Sequence, residues 1–154
     1  GAHAAVVEVD KATGMVHVLR YLIVGDNGTV INPDVVNGQV YGSAVLGIAV
    51  ALGEGFMYST EGQPLTITYL DYGKCSTAET PRVEVIHRPS PSPYTSLGQK
   101  GAGEGAAIPS PAAIASAVED ALQPFGVKVC DLPLTPEAVW RLANHNPESE
   151  RRTF

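Results

Sequence analysis

The stretch Gln99-Lys100-Gly101-Ala102-Gly103-Glu104-Gly105 places three glycines at alternate positions, and Ala-rich helical sequence follows it from Pro109. Glycine has no Cβ, so the amides of such a loop can approach a bulky anionic or oxo-bearing group that side chains would keep away. Glu104 is the single ionisable side chain between the first and last glycine. The pattern therefore predicts a ligand site that contains one carboxylate.

The sequence around this loop predicts irregular chain before it and a helix after it. Residues 88–96 contain three prolines, which lack the amide donor that a central strand needs. Residues 109–123 place apolar side chains on one helical face, and Pro124 follows them. The loop therefore joins an extended segment to the start of a helix.

The rest of the sequence predicts a sheet with helices packed on it. Strands are predicted from alternating β-branched residues, helix starts from Asn32-Pro33-Asp34 and Thr135-Pro136, and turns from Gly or Pro clusters. The predicted fold class is α+β, a two-layer arrangement of helices on a mixed β-sheet. It forms a single domain over residues 1–146, followed by a polar tail at 147–154. The predicted elements are a hairpin (3–10 and 15–24), a helix (35–54), strands (65–70, 82–87 and 127–130) and a last helix ending near 143.

Composition excludes two classes of partner. The net charge is −6 and the ten Lys and Arg residues are scattered, so a nucleic-acid partner is not expected. The longest apolar run, from Val40 to Gly53, is shorter than the roughly 20 residues needed to span a bilayer. With 16 Gly, 12 Pro and only 17% charged residues, the composition is common in a piece that packs on something larger.

The termini and the cysteines predict a cytoplasmic location. The first six residues lack a basic segment and a cleavage pattern, so they do not resemble a secretory signal, and the absence of an initiator Met suggests a start inside a longer protein. Cys75 and Cys130 are far apart and belong to no Cys/His cluster. We therefore expect free thiols in a reducing compartment and no metal ligands from the protein.

Each candidate site residue has a structural alternative. Glu104 suits a general base, but Glu is also common at helix starts and can be simply exposed there. Gln39, in a glycine-rich helix, can donate to and accept from a heterocycle edge, although a lone Gln is usually a surface residue. The four histidines are isolated, and we interpret them as structural or exposed.

The glycine loop also matches a dinucleotide-binding pattern. Residues 101–106 satisfy GxGxx[GA], but that pattern should follow a hydrophobic strand in a βαβ unit, whereas a Ser/Pro run precedes it here. A non-catalytic nucleotide or phosphate-binding module is therefore an alternative function. A structural assembly domain whose loop packs against a partner is another.

Several short motifs occur in order across nearly the whole chain. Together they resemble the C-terminal part of the molybdopterin-binding large subunit of the xanthine dehydrogenase, aldehyde oxidase and carbon monoxide dehydrogenase family. The motifs are those at residues 1–10, 31–33, 38–42, 62–63, 100–104, 111–114 and 134–136.

The resemblance implies a role for each matching residue. It implies that Glu104 is the catalytic base, which removes a proton from a metal-bound hydroxide during oxidative hydroxylation. It also implies that the molybdenum is held by its pterin rather than by protein ligands. The residues implied to contact the cofactor are Gln39, Lys100, Gly101, Ala102 and Gly103.

The resemblance further implies cofactors and partners that this chain does not supply. The cofactor is molybdopterin, in the cytosine dinucleotide form, with molybdenum, and iron–sulfur clusters and FAD lie on partner subunits. The substrate is an aldehyde, an N-heterocycle or a similar small molecule with an electrophilic carbon. The rest of the large subunit is a further partner, so the isolated chain is expected to be inactive.

Overall fold

The computed structural model describes residues 1–144. The predicted tail at 147–154 lies outside the described residues, as do His145 and Asn146, the last two residues of the predicted domain. The predicted domain boundary therefore stays a prediction.

The predicted hairpin is confirmed. Strand β1 (Ala2–Val9) pairs antiparallel with β2 (Val16–Gly25), and a bulge interrupts the register between Val6 and Val7. The turn between the strands is closed by the Asp10 amide, which donates to the carbonyl of Met15 at 2.9 Å.

The third strand makes the sheet mixed. Strand β3 (Val83–His87) pairs parallel with β2, which gives the order β1-β2-β3. Because β2 and β3 are parallel, their carboxyl ends meet at the same edge of the sheet. The Arg88 amide extends this pairing by donating to the Gly25 carbonyl at 2.9 Å. The segments that follow these two strands are therefore neighbours.

Two long helices form the second layer. Helix α1 (Pro33–Leu52) begins where predicted, with the Asn32 side chain accepting a hydrogen bond from the Val35 amide. Helix α3 (Pro109–Ala121) contacts both β1 and α1. Helix α4 (Pro136–Asn144) also follows its prediction. These helices on a mixed sheet confirm the α+β class.

The core lies between the sheet and these helices. Its members are mostly aliphatic, and one tyrosine is included. The most completely buried are Tyr21, Ala44, Ile48, Ala51, Ile114, Val118, Leu122, Leu134 and Val139. Helix α1 is long and apolar enough to cross a membrane by length and composition alone, but in this fold it contributes three of these core residues.

Two predicted strands are wrong. Residues 65–70 lead into a one-turn helix, α2 (Tyr69–Tyr72), because Thr68 and Asp71 form a reciprocal capping box that the β-rich composition concealed. Residues 127–130 form no strand, since the Val129 amide donates to the Glu119 carboxylate at 2.8 Å instead of to a neighbouring strand. In both places a local side chain satisfies backbone groups that a sheet would have used.

Candidate functional site

The glycine loop lies on the surface between the sheet and helix α3. Residues 105–108 form turns before α3, and the Ala107 amide donates to the Glu104 carbonyl at 3.0 Å. The Glu104 side chain is exposed. The loop therefore presents one carboxylate to whatever approaches this face.

One end of the loop is fixed by the carboxylate of Asp26, which directly follows β2. Its Oδ1 accepts hydrogen bonds from the amides of Gly28 and Ser90, both at 2.9 Å. Its Oδ2 accepts from the Lys100 ammonium at 2.6 Å, and the same ammonium donates to Ser90 Oγ at 3.0 Å. A single carboxylate thus joins the ends of β2 and β3 to the first residues of the glycine loop.

Backbone pairing reinforces this end. Gly28 and Gln99 form an antiparallel bridge, the Lys100 amide donates to the Asn27 carbonyl at 2.9 Å, and the Thr29 amide donates to the Gly98 carbonyl at 3.0 Å. Gly28 has φ +62°, and a Cβ there would lie 2.3 Å from the Gly98 carbonyl oxygen. Glycine is therefore required at position 28 by both backbone conformation and space.

The other end of the loop is fixed by a buried hydrogen-bond chain. Ser110, which is fully buried, donates to the Ala106 carbonyl at 2.7 Å and accepts from the Tyr21 hydroxyl at 2.9 Å. The Tyr21 hydroxyl lies 2.7 Å from His3 Nδ1, which must be the donor because the tyrosine proton is directed to Ser110. Strands β1 and β2 thereby hold Ala106, the residue that follows the last glycine of the loop.

The electrostatics of the two anchors follow from these contacts. The Lys100 ammonium, together with the amides of Gly28 and Ser90, holds the pKa of Asp26 well below its usual value. Burial raises the pKa of the Tyr21 hydroxyl, although its bond to Ser110 opposes the shift. Burial lowers the pKa of His3. At neutral pH the first anchor is an ion pair and the second is uncharged.

The three glycines between the anchors are not required by anything in residues 1–144. A Cβ placed on Gly101, Gly103 or Gly105 would meet no atom within 4 Å, and none of the three has a positive φ. Three glycines in five residues nevertheless cost conformational entropy on folding. Their bare backbone therefore suits a group from outside the chain that approaches closely, as the predicted cofactor would.

Helix α1 carries glycines of two kinds. A Cβ on Gly47 would lie 2.6 Å from both the Ala107 carbonyl oxygen and Ser110 Cβ, so this glycine permits close packing against the end of the loop. A Cβ on Gly38 or Gly42 would meet nothing within 4 Å. Gln39 is exposed beside Gly38, about 12 Å along the helix axis from Gly47.

The described residues do not enclose the predicted site by themselves. Four surface concavities of about 380 to 510 Å³ are lined by other parts of residues 1–144, and neither Glu104 nor Gln39 lines them. Glu104 is exposed on the loop, outside these four concavities.

Sequence reasoning missed the residues that hold the loop. It treated residues 25–28 as a simple turn and did not single out Ser90, Tyr21 or Ser110. It assigned Lys100 to the cofactor, which stays a prediction, and it did not foresee the ion pair of the Lys100 ammonium with Asp26. The available signal was an Asp two residues before a Gly, which is typical of an Asx-turn, but the partner of its second oxygen is 74 positions away.

We expect Tyr21→Phe to lower the free energy of unfolding by about 1 to 2 kcal/mol, because it removes a buried hydroxyl that serves two partners. Urea unfolding of the 154-residue chain measures this change. Tyr94→Phe is the matched control, since Tyr94 is 95% exposed, and it should change stability by less than about 0.5 kcal/mol. Equal effects of the two variants would contradict the proposed anchor.

Comparison with known proteins gives a consistent assignment. A model of the molybdopterin cofactor-binding domain matches residues 1–81. The nicotine 6-hydroxylase large subunit of Paenarthrobacter nicotinovorans is 43% identical over 92% of this chain and 17% of that subunit. Quinoline 2-oxidoreductase from Pseudomonas putida 86 superposes with a TM-score of 0.91 at 39% identity, over 94% of this chain and 18% of that one. A Cu,Mo-CO dehydrogenase superposes with a TM-score of 0.85 at 29% identity, over 88% and 17%.

The fold and these matches define the chain as a molybdopterin cofactor-binding domain. It belongs, more narrowly, to the large subunits of the xanthine dehydrogenase and carbon monoxide dehydrogenase family, which confirms the resemblance read from the sequence motifs. The chain spans less than a fifth of the length of these relatives. It is therefore a small piece of such a subunit.

Proposed function

We propose that this chain supplies the catalytic base and part of the cofactor-contacting surface of a molybdenum hydroxylase, which acts on an aldehyde, an N-heterocycle or a similar electrophilic carbon. The observation that carries the proposal is the glycine loop itself. It is fixed at both ends, it contains three glycines that nothing in the described part of the chain requires, and it carries one exposed carboxylate.

In this proposal the backbone and the side chains contact the cofactor in different ways. When bound, molybdopterin supplies a metal that can accept electrons from the substrate. The bare backbone at Gly101 and Gly103, with only the methyl group of Ala102 between them, allows that group to approach, and the amide of Gln39 can donate to and accept from its heterocycle. Lys100, whose ammonium pairs with Asp26, directly precedes this segment and is a further cofactor-contacting residue in the proposal.

Glu104 performs the proton transfer in this proposal. Its carboxylate oxygen accepts the proton that must leave the attacking oxygen as that oxygen bonds to the substrate carbon. A positioned carboxylate of this kind contributes about 10²- to 10⁴-fold to the rate.

An exposed apolar surface supports the need for more polypeptide. We define it as the segment 56–70, where Ile67 is 76% exposed, Tyr69 80% and Leu70 91%. Large apolar side chains that are exposed close together in a segment often mark a contact with other polypeptide. We infer that the rest of the large subunit covers this segment and completes the pocket, and that the isolated chain is inactive.

The proposal includes the remaining components of the assembly. The cofactor is the cytosine dinucleotide form of molybdopterin, and iron–sulfur and FAD subunits carry electrons away from the molybdenum. The two cysteines are free thiols, and we place the enzyme in the cytoplasm. The competing function, a nucleotide-binding module, is less well supported because the glycine loop follows irregular chain and an isolated bridge rather than a strand.

The complete large subunit, purified with its partner subunits, tests the proposal. We expect molybdenum and pterin to co-purify with it, and turnover of an aldehyde or N-heterocycle in H₂¹⁸O to place the label in the product. The 154-residue chain alone should give no turnover. Saturable binding of a nucleotide by this chain without molybdenum would instead favour the nucleotide-binding module.

A further inference from the structure

A carboxylate far from Glu104 in sequence controls where the glycine loop begins. Asp26 lies at the shared carboxyl edge of β2 and β3, and its two oxygens accept three hydrogen bonds from Gly28, Ser90 and Lys100. Lys100 is the last residue before the bare glycine segment. Together with the backbone pairing of residues 27–29 with residues 98–100, this side chain, 74 residues earlier in the chain, holds the start of the loop.

The segment between the anchors has little means of its own to hold Glu104 in place. Gly101 and Gly103 have no side chains, and a Cβ on either would meet nothing within 4 Å. The first internal bond after Lys100 is the one that joins the Ala107 amide to the Glu104 carbonyl at 3.0 Å. A shift of Lys100 would therefore be passed on to Glu104 with little resistance.

We propose that Asp26 is a positioning residue for catalysis, which acts through Lys100 to hold Glu104 at the distance that proton transfer requires. This inference rests on the proposed function of Glu104. Displacement of a reacting group by about 1 Å can cost on the order of 10²-fold in rate even when the altered residue lies away from the chemistry. The Asp26–Lys100 pair is partly exposed, so its effect on overall stability should be small by comparison.

The sharpest test is Asp26→Asn in the complete subunit with its partners. Asn can keep its oxygen toward the amides of Gly28 and Ser90, but its NH₂ group then faces the Lys100 ammonium, so a single contact is lost. We expect kcat per molybdenum to fall by about 10- to 100-fold, with KM and molybdenum content near wild type. Lys100→Met should give a similar loss, and the double variant should be no worse than either single variant.

A readout independent of activity accompanies the kinetics. Hydrogen exchange in residues 99–105 should become faster in Asp26→Asn, while helix α3 keeps its protection. Arg20→Met is the matched control, because it removes an exposed ion pair with Glu84 at 3.0 Å that lies away from the loop. It should leave kcat and exchange in residues 99–105 unchanged.

The possible results of these measurements test the role of Asp26 separately from that of Glu104. Wild-type kcat and exchange in Asp26→Asn would overturn the positioning role. A loss of molybdenum with unchanged kcat per molybdenum would also overturn it, since Asp26 would then serve cofactor loading. Glu104→Gln is measured in parallel: if it stays active, the proposed function fails, whereas an inactive Glu104→Gln beside a fully active Asp26→Asn rejects only the role of Asp26.

Discussion

Glu104→Gln in the assembled enzyme is expected to lower kcat by about 10²- to 10⁴-fold while molybdenum and pterin content stay near wild type. Gln has nearly the same shape as Glu, so the loop and its two anchors should be unaffected. It cannot accept the proton, because its amide is not a base near neutral pH. The expected result is therefore a fully loaded enzyme that does not turn over.

The measurement combines metal analysis with steady-state kinetics on the same preparations. Glu137→Gln serves as a matched control, since Glu137 is an exposed glutamate on α4 whose contact is an i,i+4 pair with Arg141 at 2.6 Å. It should retain wild-type kcat and KM. Substantial turnover by Glu104→Gln would falsify the assignment of the base and leave the loop as a cofactor-packing element.

A second outcome would separate binding from chemistry. If Glu104→Gln lost molybdenum in proportion to activity, Glu104 would be a residue for cofactor retention rather than a base. A single-turnover measurement with the loaded fraction distinguishes these cases, because it reports the chemical step per molybdenum. We expect the chemical step itself to be slowed.

The elements that could be predicted from the sequence are those whose signals are local. The hairpin, α1 and α3 follow from side-chain periodicity and from caps such as Asn32, which lie within a few residues of the backbone they satisfy. The errors at 65–70 and 127–130 arose where a capping side chain, Thr68 or Glu119, competed with a strand.

The candidate site also has one part that could be predicted from the sequence and one that could not. Glycine spacing placed Glu104 in a loop before a helix, and the structure has that loop. The anchors could not be predicted, because Tyr21 and Ser110 are 89 positions apart and Asp26 and Lys100 are 74 apart. Only the parallel pairing of β2 with β3, and the packing of α3 on the hairpin, bring these side chains together.

Two glycines in the same helix are expected to respond to alanine with opposite signs. In Gly47→Ala, the new methyl group would lie 2.6 Å from the Ala107 carbonyl oxygen and from Ser110 Cβ, so α1 must move away from the end of the glycine loop. Overpacking of this kind costs about 1 to 3 kcal/mol. The free energy of unfolding of the 154-residue chain should fall accordingly.

Gly42→Ala is the matched control and should stabilise the same chain. Its methyl group would meet nothing within 4 Å, and Ala is a better helix former than Gly by about 1 kcal/mol. Chemical denaturation of the two variants beside wild type measures both changes. Stabilisation by Gly47→Ala would show that α1 does not pack closely against the end of the loop at Gly47.

The same pair of variants links helix packing to the proposed chemistry. Ala107 and Ser110 belong to the turn and the buried chain that hold the Ala106 end of the loop. A displaced α1 should therefore disturb Glu104 as well as the core, and Gly47→Ala in the complete subunit should lower kcat per molybdenum. If kcat per molybdenum stayed at the wild-type value despite the loss of stability, the position of Glu104 would depend on the Asp26–Lys100 end of the loop and not on this helix.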